Sequence, residues 1–307
     1  MSRLAHLERA VDRLTPLSLA EKSWDNVGIM VEAPRRPGQT HEPTKRRIVL
    51  CNDLTTPVCD EALSDPDTFA ILTYHPPIFS GLKSLTLQTP LQASLLRCIA
   101  HGVSVFTIHT ASDNSVGGVN DFMGSGLLKA AGVETDSEGM IRPGTGKGLR
   151  AITEAKNVPD GQEGAGGGRI VDFLEGGGRK LSRSEVVQAV KDRLNLKHLQ
   201  AAWATTGVQD IQTVAICAGS GAGVLKGVPA DLYLTGEMSH HDILAAVAAG
   251  THVLCCNHSA TERPWLHYYG PRLERALNEV GKEDTDAPFE GYEVVVSQAD
   301  REPLEVV

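Results

Sequence analysis

The chain has 307 residues, of which 41% are hydrophobic and 22% charged, and its formal net charge is −9. Such a composition fits one large globular domain or two ordinary ones, and the acidic balance argues against the basic face that broad nucleic-acid or membrane-surface binding needs. No apolar run approaches the roughly 20 residues of a transmembrane helix.

In chain order, Leu4, Leu7, Val11 and Leu14 recur at helical spacing among charges, which predicts an amphipathic helix rather than a secretory signal. Organelle presequences avoid acids, and Glu8, Asp12 and Glu21 are present. A cytoplasmic location is therefore expected, with a mitochondrial one as the alternative. Short apolar, β-branched runs predict strands at 46–51, 69–74, 103–108, 168–174, 213–218, 231–236, 252–256 and 292–297. Helical patterns fall between them: TPLQASLLRCIAHG ending at Gly102, NDFMGSGLLKAAG ending at Gly132, and HHDILAAVAAG ending at Gly250. SRSEVVQAVKDRLN opens with Ser182 and Glu185 in capping-box register, and RPWLHYYGPRLERALNEVG carries Pro264 near its first turn and Pro271 as an expected kink. Asn120 is expected to cap the helix that follows Gly117-Gly118. This alternation predicts an α/β architecture with largely parallel pairing.

Two glycine-rich stretches, GQEGAGGGR (161–169) and EGGGR (175–179), fit neither the Walker pattern nor a dinucleotide-binding turn, and read as a hairpin or linker. The expected organisation is an N-terminal α/β lobe over 1–140, a connecting segment over 141–180 and a C-terminal α/β lobe over 181–307. The six cysteines show no CxxC pairing and are expected to be buried, reduced thiols.

Two segments repeat one another. IVLCND, FAILTYHPP and VSVFTIHTASD match VAICAGSG, DLYLTGEMSHH and HVLCCNHSATE in the same order. Each second strand ends in Leu-Thr before a polar cluster, and each third strand ends in H-x-x-x-acid: His109 with Asp113, His258 with Glu262. In parallel α/β sheets functional residues gather at the carboxyl ends of strands. Two similar lobes facing each other around a pseudo-two-fold axis would gather His75, His109, Asp113, Glu237, His240, His241, His258 and Glu262 in the cleft between them. Imidazoles with carboxylates suit Zn, Fe, Mn, Co or Ni, and carboxylates can bridge two ions. Pro76 and Pro77 lack an N–H and would end the strand with His75 held at its rim. His6, His41, His101, His198, His252 and His267 read as surface or packing residues.

At these residues the chain resembles the NIF3-like proteins, also labelled GTP cyclohydrolase 1 type 2 homologues. The motifs are EKSWDNVGI (21–29), LTYHPPIFSGLKSLT (72–86), HTASDNSVGGVNDF (109–122), GGGRIVDF (166–173), TGEMSHHD (235–242), NHSATER (257–263) and the tail VVVSQADREPLEVV. The resemblance implies two interlocked α/β lobes around a dinuclear metal centre and a homohexamer built as a trimer of dimers. It assigns His75, Asp113, His258 and Glu262 as metal ligands. His109, Glu237 and His240 are left for proton transfer or ligand support. Bacterial members carry His-His-Pro where this chain has Tyr74-His75-Pro76. One imidazole is therefore missing, and either Tyr74 coordinates as a phenolate or one metal is held more weakly. One or two divalent ions per subunit are expected. The function expected is metal-dependent hydrolysis of a nucleotide or other phosphorylated small molecule. The alternative is a metal-binding scaffold with a protein partner and no turnover.

Overall fold

The computed structural model describes residues 2–34, 46–284 and 291–307. In chain order, helix α1 (Arg3–Leu14) is N-capped by Ser2, and β1 (Gly28–Val31) and β2 (Arg46–Cys51) follow. Helix α2 (Thr56–Ser64), capped by Thr55, leads to β3 (Thr68–Thr73), α3 (Pro90–Ala100), β4 (Ser104–Thr107), α4 (His109–Asn114) and α5 (Val119–Ala130). Strands β5 (Leu149–Glu154) and β6 (Gly166–Asp172) form a hairpin, and β7 (Leu181–Ser182) runs into α6 (Arg183–Leu194) with the predicted capping box in place. Then come β8 (Gln200–Ala202), β9 (Asp210–Ile211), β10 (Thr213–Ser220), α7 (Ala222–Leu225) and β11 (Leu232–Glu237). The chain closes with α8 (His240–Ala248), β12 (His252–Cys255), α9 (Arg263–Glu283), which contains Pro271, and β13 (Tyr292–Val296).

The chain divides into two compact units, residues 1–112 with 266–301, and residues 113–265 with 302–307. The glycine-rich stretches lie inside the second unit rather than joining two lobes. In the first unit the sheet order is β1-β4-β3-β2-β13, parallel throughout except for antiparallel β1 at its edge. Every residue of β3, TFAILT, is buried, as a strand covered on both faces requires. Its core unites Val49, Leu54, Val58, Ile71, Leu95 and Val105, where burying each large aliphatic side chain contributes about 1.5–3 kcal/mol.

In the second unit the order is β5-β6-β10-β11-β12-β8, with β10, β11 and β12 parallel and the flanking strands antiparallel. Ile170, Ala215, Leu225, Tyr233 and Val253 form its core, and β7 and β9 pair separately. The pairing is thus parallel among β13, β2, β3 and β4 and among β10, β11 and β12, and antiparallel at β1, β5, β6 and β8, a distinction the sequence pattern does not carry.

The internal repeat is visible in the topology. β2, β3 and β4 recur as β10, β11 and β12, in the same spatial order, with an antiparallel strand of earlier sequence position beside the third. No helix among the described residues is long and apolar enough to cross a membrane. The six cysteines are free thiols, Cys51, Cys59, Cys98 and Cys256 buried and Cys217 and Cys255 partly so.

Candidate metal-binding side chains at the strand ends

In the first unit the ladder between β2 and β3 continues past the last strand residues. The Tyr74 N–H donates to Cys51 O at 2.8 Å and the His75 N–H to Asn52 O at 2.9 Å. The next residue is Pro76, which has no N–H to offer, so pairing stops with His75 at the rim. That register brings Asp53 beside it: His75 Nδ1 lies 2.9 Å from Asp53 Oδ1. A carboxylate only accepts, so Nδ1 carries the proton and Nε2 is the ring nitrogen with a lone pair to offer.

His109 begins α4 directly after β4 and repeats the arrangement. Its Nδ1 donates to Asp25 Oδ1 at 2.6 Å, and Asp25 also accepts from the Thr110 N–H and hydroxyl. Burial acts to raise the Asp25 pKa. The hydrogen bonds from His109 and Thr110, the charge of His109 and the Asn26 N–H together outweigh it and hold the carboxyl below its ordinary range. The His75 and His109 rings lie edge-on with centroids 5.3 Å apart, and the fully buried Tyr74 ring packs 5.3 Å from the first and 6.1 Å from the second.

The second unit assembles its own cluster at the ends of β10, β11 and β12. His258 follows Asn257, whose φ of +69° is a left-handed conformation that asparagine tolerates better than most residues. A compact turn carries His258 and Glu262. The Thr261 hydroxyl donates to His258 O at 2.7 Å and accepts from the Gly219 N–H at 2.9 Å. Glu302 Oε2 accepts from Ser259 Oγ at 2.7 Å and the Ala260 N–H at 3.0 Å, so the tail pins the same turn.

His258 Nδ1 donates to Glu237 Oε1 at 2.8 Å, and His258 Nε2 faces the buried Glu262 Oε1 at 3.4 Å. Gly219 keeps the space in front of them open. It has φ of +61°, and a Cβ there would sit 2.6 Å from Glu262 Oε1 and 2.8 Å from His258 Nε2.

Asp113 belongs to the same region. Its carbonyl accepts from Asn120 Nδ2 at 3.1 Å, and Asn120 Oδ1 accepts the Ala218 N–H at 2.9 Å, which ties Asp113 to the end of β10. The Cys217 thiol is pushed up by burial, with the Asp113 and Glu262 carboxylates adding to the shift. Asn120 is therefore a bridge inside α5 and not its cap, a position held by Gly118. Below Asp113, the buried Arg169 guanidinium pairs with Asp121 and donates to the carbonyls of Gly166, Gly168, Asn114 and Ser115.

His240 takes a different place. It is the exposed first residue of α8, its ring edge-on to His241 at 5.5 Å, and no hydrogen bond joins it to Glu237 or His258. His252 is structural: it accepts the Ala204 N–H at Nδ1 and contacts Val208 O through Nε2. His6 is buried against Tyr292 and Asp284, His101, His198 and His267 are exposed, and His41 lies outside the described residues. Sequence reasoning missed Asp53 and Gly219. Asp53 sits 22 residues from His75 with no motif to join them, and only the β2–β3 register predicts their contact.

His75, His258 and Glu262 are described residues whose side chains could hold a metal ion. The sequence profile described as Duf34/NIF3 (NGG1p interacting factor 3) matches residues 2–290. The chain belongs to the Duf34/NIF3 family. Among NIF3 relatives, it is 37% identical to NIF3-like protein 1 of Drosophila melanogaster over 99% of this chain and 89% of that protein. It is 34% identical to the NGG1-interacting factor 3 of Saccharomyces cerevisiae over 99% and 97% of the two chains. Solved structures of the NIF3 fold agree with this. A Staphylococcus aureus hypothetical protein superposes with a TM-score of 0.71 at 22% identity, covering 99% of both chains. A Bacillus cereus protein related to NIF3 gives 0.69 at 18%, covering 99% of this chain and 98% of that one.

Proposed function

We propose that this NIF3-family chain is a divalent-metal-dependent hydrolase, with His75, Asp113, His258 and Glu262 as its metal ligands. The observation that carries the reading is the opening in front of His258 Nε2 and Glu262 Oε1, which a Cβ on residue 219 would fill. The donor chemistry fits a metal. His258 and His75 each have Nδ1 fixed by a carboxylate, Glu237 and Asp53 respectively, the usual support for a metal-ligating imidazole. Mixed imidazole and carboxylate donors suit Zn, Fe, Mn, Co or Ni.

A bound divalent ion supplies Lewis acidity to a scissile carbonyl or phosphoryl group and makes water more acidic. The chain's own side chains do the rest. Asp53 and Glu237 hold their histidines in one tautomer and one orientation. His109, backed by Asp25 and 5.3 Å from the His75 ring, is the group we assign to proton transfer. Tyr74 stands where bacterial relatives carry a second histidine. Its ring is buried among neighbours rather than in water, so we assign it to packing behind His75 and His109.

A second reading, a metal-containing binding protein without turnover, draws on the printed name of the yeast relative, NGG1-interacting factor 3, and on the exposed Leu82, Leu85 and Leu87. The homohexamer implied by the family resemblance fits either reading. The deciding experiment is a panel of phosphoesters and nucleotides incubated with metal-loaded protein. Turnover that a chelator abolishes and His109→Ala lowers supports the hydrolase. Retained metal with no turnover on any member supports the binding reading.

A further inference from the structure

We infer that Trp24 and Phe79 form a stacking site for a planar aromatic ring carried by the substrate, beside His109. The inference rests on the hydrolase reading for calling its ligand a substrate, and names the part of that ligand this chain would grip. Trp24 is 54% exposed and Phe79 51% exposed, although both are large apolar side chains that ordinarily seek burial. Their ring centroids lie 6.2 Å apart at an interplanar angle of 47°. Both approach the same imidazole: Trp24 is 6.0 Å from the His109 ring and Phe79 is 6.5 Å from it, each edge-on. His109 in turn lies 5.3 Å from the His75 ring. The exposed aromatic surface thus adjoins His109 and, next to it, His75.

The arrangement is built rather than incidental. Trp24-Asp25-Asn26 is one continuous stretch, and each member has a different task. Asp25 holds His109 Nδ1 at 2.6 Å. Asn26 Nδ2 donates to Ile78 O at 2.6 Å, tying the loop that carries Trp24 to the residue before Phe79. The same Asn26 amide also reaches Met30 Sδ at 3.4 Å. The two rings are therefore fixed relative to His109 by hydrogen bonds that do not involve the rings. A purely structural pair would lose nothing by being buried or replaced by polar residues. An aromatic pair left half in water beside a carboxylate-backed imidazole is suited to stack a flat ring and place the attached polar group at the histidines.

The test compares adenosine 5′-monophosphate with ribose 5-phosphate, which share sugar and phosphate and differ only in the planar base. Calorimetric titrations use the metal-loaded full chain, its chelated form, and the variants Trp24→Ala, Phe79→Ala and Trp24→Phe. The expected result is at least tenfold tighter binding of the base-bearing compound, the usual order of one base–aromatic stack. That preference is lost in Trp24→Ala and Phe79→Ala and kept in Trp24→Phe, with metal content the same in all four proteins. Equal affinity for the two compounds in the wild type, binding of neither, or a preference that survives both alanine variants would overturn the inference. So would a change in molar mass by light scattering in Trp24→Ala with the base preference intact, since the rings would then cover a protein surface. Metal content is measured in every sample. A wild type that takes up no metal but retains the base preference would refute the hydrolase reading and leave the stacking site standing.

Discussion

Replacing Gly219 with alanine separates a backbone effect from a site effect. The φ of +61° at Gly219 is left-handed, and alanine there costs about 1–2 kcal/mol in backbone energy. That alone lowers Tm by roughly 2–4 °C per kcal/mol in a chain of this size class. The new methyl also meets Glu262 Oε1 at 2.6 Å and His258 Nε2 at 2.8 Å, well inside the ~3.5–4.0 Å of a comfortable carbon contact. Both side chains must move aside, and the methyl occupies the opening they face. Gly227 supplies the control, with φ of +78° and nothing within 4 Å of its hypothetical Cβ. Both variants should lose similar stability in thermal melts. Only Gly219→Ala should lose metal, by on the order of 10–100-fold in calorimetric titrations with Mn²⁺ and Zn²⁺, the range seen when ligand support is disturbed. Wild-type metal affinity in Gly219→Ala, or an equal loss in Gly227→Ala, would refute the argument that residue 219 guards a ligand position.

Other perturbations test neighbouring steps. Glu237→Ala truncates a side chain that is already largely exposed and removes the acceptor from His258 Nδ1; metal affinity should fall by about 10–100-fold while the melting curve stays near the wild type. Asp25 is held below the ordinary carboxylate range in the folded state, so its contribution to stability is full above roughly pH 4 and is lost as the pH falls through the lower folded-state pKa. Denaturation series from pH 7 to pH 2 should show Asp25→Asn less stable at neutrality and converging on the wild type in acid; a constant gap would count against the assignment. Arg169→Met strands the fully buried Asp121, and urea midpoints should report a loss of about 3–5 kcal/mol. Glu302→Ala frees Ser259 and Ala260 and should weaken metal binding with little effect on secondary structure by circular dichroism.

Much of the centre of both sheets was legible from the sequence pattern. The runs RRIVLC, FAILT and VAIC are apolar without alternation because both faces of a parallel strand are covered, and they became β2, β3 and β10. The antiparallel edge strands were not legible, whereas the parallel edge strand β13 was. β1 is only four residues long, β5 is half-exposed and mixed in polarity, and antiparallel pairing at an edge demands no apolar run. The glycines before Arg169 read as a hairpin or a linker, and the hairpin is what forms, between β5 and β6. They stand within β6, where a Cβ at Gly166 would meet Thr153 O at 2.1 Å and one at Gly168 would meet Ile216 O at 3.0 Å. Close strand approach, not flexibility, accounts for them.

The site was half legible. His75 announced itself because two prolines stop its strand, and His258 and Glu262 because the repeat aligned them with His109 and Asp113. Their partners were invisible for a physical reason: Asp53 reaches His75 through strand register, and Asp25 reaches His109 across 84 residues of sequence. Neither spacing is a motif. The role of Glu237 also depended on geometry, since only its contact with His258 Nδ1 distinguishes support of a ligand from proton transfer.

The most direct measurement of the central claim is metal content per subunit, by elemental analysis of protein purified under metal-replete conditions, for the wild type, His258→Ala and Tyr74→His. The account predicts at least one equivalent in the wild type, its loss in His258→Ala, and a content in Tyr74→His equal to or above the wild type. A wild type that carries no metal, or a His258→Ala variant that carries as much as the wild type, would contradict it.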